Sequence, residues 1–456
     1  MLAASVAHAS GPVCDSDKTF MALRFSYQLL LGIAAYSALA SVSRAEVELA
    51  KYRTGKPDPR LAQVPAELEQ AIFAKPTEHV DRLVDTLTRG ADDPFHKTQI
   101  LHDWIATHIS YDVDSFRNHV KVDSAWAATL RARQSVCQGY SALLAEMCRR
   151  AGIECEQIVG QARGYGYLAA DHATTDNENH AWNAVRIEGR WYLIDVTWDA
   201  GTVSEAGFQQ KFSHAYLFLE PHDFLFTHLP SDSQWQLVEK PISVAQFEKQ
   251  PNLKGRFFQY GLRLDSPIGS RVVAQASLKV KLRVPRDVVV SVKLRDQAGD
   301  PLPRHTLLQR VGDDCMVLAM FPRAEQYKLE LFCKHKREPT SLLLAASFSI
   351  AARQTTDRVF PQVFNVYHEL PACVYEPLLV PLDRRTPQTF RVRAPETDRV
   401  QLAIDDRPWI TLDREKDDRD LFSTQVMLDA AQRVRLMIRR PGDGRSALTL
   451  LDYSAP

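Results

Sequence analysis

The sequence predicts an α+β core followed by two β-sandwich domains. Helical periodicity dominates from residue 65 to about 150, and a strand-like period of two begins at residue 156. Beyond about residue 255, short alternating strands are separated by Pro, Gly and Asp turns, as is typical of β-sandwiches. A chain of 456 residues is also too long for one ordinary core. We therefore predict an N-terminal extension with a targeting signal (1–45), the core (46–250) and two sandwiches (251–358 and 359–456).

The composition is that of a globular protein without net charge. Hydrophobic residues make up 45% of the chain and charged residues 25%, and 56 basic residues balance 56 acidic ones. A nucleic-acid partner or a polybasic membrane surface therefore has no compositional support. The sequence contains no metal, nucleotide or flavin motif, since "GYGY" at 164–167 is too short for a phosphate cradle. We expect no cofactor.

The N-terminal segment has the pattern of a secretory signal. From Met21 the sequence reads "MALRFSYQLLLGIAAYSALASVSRAEVELAKY", in which Arg24 precedes an apolar run from Leu29 to Leu39. Small residues then surround a cleavage position at Ser43-Arg44-Ala45. We expect export to a periplasm or to the extracellular space, with no stable membrane insertion after cleavage. An uncleaved membrane anchor is the alternative, although polar residues dilute the apolar run.

The cysteines do not suggest a disulfide scaffold. Seven cysteines, one of them in the N-terminal segment, are too few for a chain of this length. Cys315 and Cys333 could pair in an exported protein, but two free buried thiols are the alternative that we favour. No Cys-x-x-Cys pair is present, so a structural zinc site has little support.

The helical part contains three segments with clear start, stop or face signals. "PAELEQAIFAK" begins with a proline suited to a first turn, and "TEHVDRLVDTLTRG" ends in a glycine typical of helix C-termini. "DPFHKTQILHDWIATHISYD" places on one face the apolar residues Ile100, Leu101, Trp104, Ile105 and Ile109. His96, His102 and His108 fall away from that stripe, so we expect them to be solvated and assign them no ligand role.

An internal repeat supports the two sandwiches. "SLKVKLRVPRDVVVSVKL" (277–294) and "QTFRVRAPETDRVQLAI" (388–404) align at a constant offset of 110 residues. Six positions coincide in register, from Val280 with Phe390 to Leu294 with Ile404. We therefore predict two related sandwiches of about 100 residues each.

The stretch "SVCQGYSALLAEMCRRAGI", residues 135–153, places Cys137 where a helix begins. Gly152 ends the helical pattern, whose apolar stripe contains Leu143, Leu144, Met147 and Cys148. Unpaired N–H groups and the positive end of the dipole at a helix start favour a thiolate. Inert packing is the alternative for a single buried cysteine.

The stretch "NHAWNAVRIEGRWYLIDVTW" predicts a β-hairpin around Glu188-Gly189. With that turn, His180 and Asp195 emerge on one face as diagonal neighbours, roughly 7–8 Å apart at the backbone. An aspartate in so apolar a strand costs free energy unless it is hydrogen-bonded, and a histidine would satisfy it. Trp182, opposite Asp195, would shield the bond from water.

These three residues have the types that a cysteine nucleophile needs: a thiol, a base and an orienting carboxylate. Two alternatives stay open. One is a structural His–Asp pair with an unrelated cysteine. The other is a Cys-His-Asp metal site, for which no fourth ligand is evident.

The motifs resemble the transglutaminase-like superfamily, a papain-like fold with the chain order Cys, His, Asp. The likeness covers residues 95–250, and "FSHAYLFLEPHDFLFTHLPSDSQWQLVEKPIS" (212–243) is similar to the kyphoscoliosis-peptidase branch. The resemblance implies a transglutaminase-like core with Ig-like sandwiches, in which Cys137 is the nucleophile, His180 the general base and acid, and Asp195 its orienter. It also implies an oxyanion hole built from the Cys137 backbone N–H and an upstream donor, with Trp126 and Gln134 as candidates.

The function implied by the resemblance is that of a thiol peptidase, and the signal pattern adds that it is exported. It would hydrolyse peptide or isopeptide amides through an acyl-enzyme, with proteins or peptides, cell-wall peptides among them, as substrates. Protein-glutamine transamidation by the same three residues is the first alternative. The second is a non-catalytic scaffold whose sandwiches bind a protein partner, since a fold alone does not establish an activity.

Overall fold

The structure is a computed structural model that describes residues 49–91, 93–164, 178–338, 341–405, 407–429, 433–442 and 446–454. The predicted signal segment, residues 1–45, lies outside the described residues. In the described part of the chain, no helix is long and apolar enough to cross a membrane. From Tyr52 onward the chain forms one compact unit.

The first part of the core is helical, as the apolar periodicity predicts. Pro76 stands in the first turn of its helix, where its missing N–H has no cost. Asp93 caps the next helix, since its carboxylate accepts the His96 N–H at 2.9 Å. The helices of the core are α1 (Ala66–Ala74), α2 (Pro76–Thr88), α3 (Pro94–His108), α4 (Val113–Arg117), α5 (Trp126–Ala132), α6 (Cys137–Arg150), α7 (Val196–Ala200) and α8 (Pro221–Phe224).

An antiparallel sheet forms the second part of the core. The strands of this region are β1 (Ser110–Tyr111), β2 (Gln134–Ser135), β3 (Glu154–Ala162), β4 (His180–Ile187), β5 (Arg190–Ile194), β6 (Gly201–Ser204), β7 (Gly207–Gln210), β8 (Leu217–Leu219) and β9 (His228–Pro230). Five of them make one sheet in the order β8-β5-β4-β3-β9. Helix α6 packs against β3 and β4, so the helix that begins at Cys137 lies on the strand that begins at His180.

Two buried polar side chains fasten α6 to β4. The Ser141 hydroxyl donates to the Trp182 carbonyl at 2.9 Å, and the Asn183 amide donates to the Ser141 carbonyl at 3.0 Å. The same amide reaches the Glu156 carbonyl of β3 at 3.3 Å. Because Ser141 and Asn183 are buried, these bonds are shielded from water and fix the position of the helix along the strand.

The predicted hairpin is confirmed. Strands β4 and β5 pair around Glu188-Gly189, and both turn residues have positive φ, 51° and 80°, as a two-residue hairpin turn requires. The prediction that Asp195 lies within the second strand is wrong. Pairing stops at Ile194, and Asp195 is the N-cap of α7, a helix of five residues that is too short to be seen as a periodic pattern.

After the core, the chain forms a first sandwich of mostly antiparallel sheets, with the strand orders β10-β18-β17-β14, where β12 also pairs with β18, and β11-β13-β16-β15. Cys315 and Cys333 are free buried thiols on different sheets. The elements are α9 (Val244–Lys249), α10 (Gly255–Gln259), β10 (Asn252–Leu253), β11 (Arg263–Leu264), β12 (Arg271–Ala274), β13 (Ser277–Arg283), β14 (Val288–Arg295), β15 (Thr306–Val311), β16 (Asp314–Met320), β17 (Gln326–His335) and β18 (Leu343–Ala352).

A second sandwich follows, with the strand orders β19-β27-β26-β22-β23 and β20-β21-β25-β24. Its elements are α11 (Asn365–Glu369), β19 (Gln362–Val363), β20 (Cys373–Glu376), β21 (Gln388–Arg393), β22 (Arg399–Ile404), β23 (Ile410–Thr411), β24 (Asp413–Arg414), β25 (Leu421–Val426), β26 (Val434–Arg439) and β27 (Leu448–Asp452).

The sequence repeat corresponds to a repeated fold. In each sandwich the first repeated strand, β13 or β21, lies in one sheet, and the second, β14 or β22, lies in the other. The matched residues Val280 and Phe390 are both buried. Helices α10 and α11 also begin at equivalent places, Gly255 and Asn365.

The apolar cores of these parts are continuous. One cluster runs from Trp182 in the core sheet through Phe257 to Leu331 in the first sandwich. Another joins Leu307 and Leu318 of the first sandwich to the interior of the second. Because each apolar cluster extends across two of the predicted parts, the packing does not mark where one domain ends and the next begins. The predicted domain boundaries stay predictions.

The prediction that three histidines of α3 are solvated is wrong. His102 is fully buried, and the side chains of His96 and His108 are only 17% and 24% exposed. His96 pairs with Asp58 at 2.8 Å and His108 with Glu69 at 3.0 Å. Helix α3 is buried around most of its circumference, whereas an apolar stripe reports only one face.

We expect Asn183→Ala to lower the free energy of unfolding by about 2–3 kcal/mol, because it leaves the Ser141 and Glu156 carbonyls buried without this donor. Chemical denaturation measures the change. Asn118→Ala is the matched control, since this exposed asparagine caps α4, and it should cost less than about 1 kcal/mol. Equal losses in the two variants would contradict the assignment.

Candidate active site

Cys137 is the first residue of α6, where the sequence predicts it. The N-cap is Val136, which provides no side-chain cap. The Gly139 N–H donates to the Val136 carbonyl at 3.0 Å, so among the described hydrogen bonds the N–H groups of Cys137 and Gln138 are left for other acceptors. Cys137 is 4% exposed, and its Sγ donates to Gln138 Oε1 at 3.2 Å.

His180 links the other two predicted residues. Its Nε2 lies 2.7 Å from Asp195 Oδ2, and the Cys137 side chain is close enough to the ring to raise the pKa of the imidazole. Because the carboxylate occupies Nε2, Nδ1 is the nitrogen left for the sulfur. The structure therefore brings Cys137, His180 and Asp195 together, while their catalytic roles stay predictions.

Asp195 uses both of its carboxylate oxygens in this buried site. Oδ1 accepts the Trp198 N–H at 3.1 Å as the N-cap of α7. Oδ2 accepts from His180 at 2.7 Å and from a further residue, His228, whose Nε2 is 3.0 Å away. With 1% of its surface exposed, the carboxylate has exchanged water for three protein donors.

His228 is the site residue that the sequence analysis missed. It is fully buried at the start of β9, and its Nδ1 lies 2.8 Å from the Thr227 hydroxyl. A lone histidine in the apolar stretch "DFLFTHLP" is the signal that could have found it. Its contact with Asp195 depends on the pairing of β9 with β3, which no local pattern reveals.

Gly160 permits the close pairing of β9 with β3. A Cβ at this position would lie 2.2 Å from the Leu229 carbonyl oxygen and 2.8 Å from the Pro230 Cα, both in β9. Any side chain there would push β9 away from β3. His228, the first residue of β9, would move with it.

Two tryptophans cover the pair of histidines. The ring of Trp198 lies 5.2 Å from that of His180 and 4.4 Å from that of His228, measured between centroids. The ring of Trp182 lies 6.1 Å and 5.0 Å from the same two rings. Trp182 is 1% exposed, and the β4–β5 pairing ends before it could stand opposite Asp195, so its shielding of the His180–Asp195 bond stays a prediction.

The environments of the two histidines move their pKa values in opposite directions. Burial acts to lower the pKa of His180, but the charges of Asp195 and Cys137 outweigh it and raise the pKa to about 10. For His228 burial prevails over the attraction of Asp195, and the pKa falls to about 4. Burial opposes ionisation of Asp195, yet the histidines hold its pKa well below the usual range. At neutral pH the site therefore contains one imidazolium, His180.

The second oxyanion donor stays open between the two predicted candidates. Trp126 begins α5, and its ring lies 5.3 Å from the Arg150 guanidinium. Gln134 is an exposed residue of β2. Among the described hydrogen bonds, neither side chain reaches Cys137.

A second buried network lies next to the first. His102 bridges two carboxylates, with its Nδ1 2.9 Å from Asp103 and its Nε2 3.2 Å from Asp199. His214 Nε2 lies 2.8 Å from Asp103. All four side chains are fully buried. Asp199 belongs to α7, so this network anchors the helix that Asp195 caps.

Both networks are close enough to hold a metal ion by distance alone, through His102, Asp103 and His214 or through His180, Asp195 and His228. The nitrogens of the first group already have partners, because His214 Nδ1 accepts the Gly55 N–H at 3.0 Å. Burial acts to lower the pKa of His102, but its bonds to Asp103 and Asp199 raise it to about 9, so both ring nitrogens donate. Donors and acceptors are matched within the protein, which favours hydrogen-bonded networks.

Comparison with known proteins agrees with this geometry. Residues 81–196 match the family model of the transglutaminase-like superfamily, a range that contains Cys137, His180 and Asp195. Residues 244–362 match the model of the KY-like, immunoglobulin-like domain. The chain thus has a transglutaminase-like core followed by an immunoglobulin-like domain of the KY type.

Individual relatives are consistent with the predicted branch. Kyphoscoliosis peptidase of Mus musculus is 26% identical over 386 residues, 81% of this chain and 56% of the mouse protein. Kyphoscoliosis peptidase of Homo sapiens is 32% identical over 195 residues, 42% of this chain and 29% of the human protein. The Lim and transglutaminase domain protein ltd-1 of Caenorhabditis elegans is 24% identical over 274 residues, 55% of this chain and 38% of that protein. The matches span about half or less of these relatives, and the resemblance to kyphoscoliosis peptidases is confirmed.

Two raised histidine pKa values predict that the fold loses stability above neutral pH. Such a histidine stabilises the folded state fully below its unfolded pKa of about 6.5, and this contribution is lost as the pH approaches the folded value. The folded values are about 9 for His102 and about 10 for His180. We therefore expect the free energy of unfolding to fall between about pH 6.5 and 8, by up to about 1.4 kcal/mol per pH unit for each histidine.

Urea denaturation across this pH range measures the slope. His102→Gln should make the slope shallower, because one of the two titrating groups is gone. His222→Gln, a change at an exposed histidine of α8, should keep the wild-type slope. An unchanged slope in His102→Gln would show that the buried network does not hold this proton.

Proposed function

We propose that this chain is a cysteine-nucleophile enzyme that cleaves peptide or isopeptide amide bonds through an acyl-enzyme. The placement of Cys137 beside the His180 ring, with 2.7 Å between that imidazole and the Asp195 carboxylate, is the observation that supports it most directly. The transglutaminase-like domain supports a cysteine-type enzyme in general. Two relatives carry the name peptidase.

In the proposed acylation step, the thiolate of Cys137 attacks the amide carbonyl carbon, and the negative charge passes to the carbonyl oxygen. The Cys137 backbone N–H, at the start of α6, would stabilise that oxyanion. His180 gives its Nδ1 proton to the amide nitrogen as the C–N bond breaks. The amine leaves, and the acyl group stays on Sγ as a thioester.

In the proposed deacylation step, His180 takes a proton from water, whose oxygen attacks the thioester carbon. The C–S bond breaks, the carboxylic acid leaves, and thiolate and imidazolium are restored. Asp195 keeps Nε2 of the ring engaged throughout, so that Nδ1 stays directed at the reacting atoms. His228 and the Trp198 N–H hold that carboxylate in place.

Transamidation uses the same residues and differs only in the acceptor. If a primary amine replaces water in the second step, the product is a new amide. We favour hydrolysis because of the peptidases among the relatives. Incorporation of a fluorescent primary amine into a glutamine-containing protein, without release of a free carboxylate, would support the alternative instead.

A non-catalytic scaffold is the second alternative, because two sandwiches follow the core. In that case Cys137→Ala would leave the biological function intact.

We also propose export of the chain, on the signal pattern of residues 21–45. N-terminal sequencing of the mature protein tests this.

Alkylation by iodoacetamide tests the proposed nucleophile. We expect Cys137 to react at pH 6 at least about tenfold faster than glutathione, because a neighbouring imidazolium favours the reactive thiolate. His180→Ala should remove this advantage, whereas His222→Ala, at an exposed position, should keep it. Mass spectrometry assigns the modified residue and gives the rate.

The cleavage of a peptide panel should follow the same pattern, with no turnover in Cys137→Ala. Labelling of Cys137 no faster than that of glutathione would contradict the enzyme proposal and favour the scaffold.

A further inference from the structure

A cavity of about 530 Å³ opens beside His180. Its wall includes Tyr111 and Trp198 of the core and Leu343 of the first sandwich. Tyr111 is also near the sulfur, since burial together with the charge of Cys137 raises its pKa. A substrate that approaches the Cys137–His180 pair from this cavity would therefore contact the core and the first sandwich at the same time.

Besides Arg163, three cationic side chains line the same cavity: Lys211, Lys254 and Arg256. Lys211 belongs to the core, and the other two lie around the start of α10, where the core gives way to the first sandwich. No ion pair within the described ranges of the chain includes any of the three. Their charges are therefore not neutralised by contact with a described carboxylate.

The other charged groups at this place do not cancel the positive charge of the cavity. Arg163 also lines the cavity, but its guanidinium donates to the Gln250 and Pro251 carbonyls at 3.0 Å and 3.3 Å. Glu338 attracts Lys211 and keeps its charge while it accepts the Tyr260 hydroxyl at 2.8 Å, but it is one anion against four cationic side chains of the wall. The buried Asp195 and Asp199 are held by histidines and backbone N–H groups. The cavity thus retains an excess of positive charge.

Burial and the neighbouring cations lower the pKa values of both lysines. Burial, with added repulsion from Arg163 and Lys328, lowers the pKa of Lys254 to about 8. Burial and the neighbouring Arg256 also lower the pKa of Lys211, against the attraction of Glu338. Cations in partly buried surroundings are destabilised until an anion joins them. An anionic ligand would relieve this cost.

We propose that the cavity binds a carboxylate of the substrate, and that the enzyme prefers peptides with an acidic residue close to the scissile amide. This proposal rests on the proposed function of Cys137, and it adds the chemistry of the substrate. Lys211, Lys254 and Arg256 would hold the carboxylate. The apolar wall of Tyr111 and Leu343 would pack against a neighbouring apolar side chain. The first sandwich then completes the substrate site.

Two small alkylating reagents that differ in charge test this proposal. Iodoacetate and iodoacetamide both form a C–S bond with Cys137 as iodide leaves, but only iodoacetate carries a carboxylate. The measured quantity is the ratio of the iodoacetate rate to the iodoacetamide rate at Cys137, divided by the same ratio for glutathione. This quotient cancels changes that affect both reagents equally.

We expect a quotient of about ten or more in the wild-type protein at low ionic strength, since a cleft lined with charge concentrates the opposite ion. The His180 imidazolium also raises this quotient, so only the lysine variants show whether the cavity lysines attract the carboxylate. Lys254→Gln and Lys211→Gln should each lower the quotient at least about threefold, and raised salt should lower it in the wild type. Lys281→Gln, at an exposed lysine of β13 outside the cavity, should leave it unchanged.

A quotient that neither Lys254→Gln nor Lys211→Gln lowers would overturn the carboxylate site, even where iodoacetamide labels Cys137 rapidly. Slow labelling by both reagents would instead overturn the proposed nucleophile. If one lysine variant fails to fold, the other still decides the question. A peptide pair that differs only by Glu against Gln beside the scissile bond then repeats the comparison with turnover, and faster cleavage of the Gln peptide would also overturn the proposal.

Discussion

The site depends on one buried carboxylate. Asp195 is 1% exposed and accepts hydrogen bonds from His180, from His228 and from the Trp198 N–H. A carboxylate removed from water is costly unless such donors replace the water. In return, its charge raises the pKa of His180, the ring beside Cys137. The protonation of His180, beside the Cys137 sulfur, therefore depends on the hydrogen bonds and burial of Asp195.

Much of the core serves to bring four elements to this carboxylate. Helix α6 supplies Cys137, β4 supplies His180, Asp195 is the N-cap of α7, and β9 supplies His228. Buried bonds from Ser141 and Asn183 hold α6 on β4, and the absence of a side chain at Gly160 lets β9 approach. The second network, around His102 and Asp199, holds the far end of α7. The first sandwich extends the same apolar core, which explains why its residues reach the cavity beside His180.

Local patterns made the central residues predictable, whereas long-range contacts did not. A helix start identifies Cys137, and a hairpin brings His180 and Asp195 close together, although Asp195 caps α7 and does not continue β5. Three residues could therefore be assigned from two short stretches. The constant repeat offset likewise predicts the sandwiches. In contrast, His228 and His214 meet their carboxylates through pairing and packing between distant segments, 111 residues apart for His214 and Asp103. The burial of His102 was missed because the elements that cover the polar face of α3 come much later in the chain.

The most direct measurement is an NMR titration of the His180 ring nitrogens in the wild-type protein and in Asp195→Asn. We expect His180 to stay protonated through neutral pH and to titrate near pH 10 in the wild type. The neutral amide of Asp195→Asn should lower this pKa by more than about one unit, because it no longer stabilises the imidazolium by charge. A His180 that titrates near its ordinary value of about 6.5 in the wild type, or identically in both proteins, would contradict the role given to the buried carboxylate.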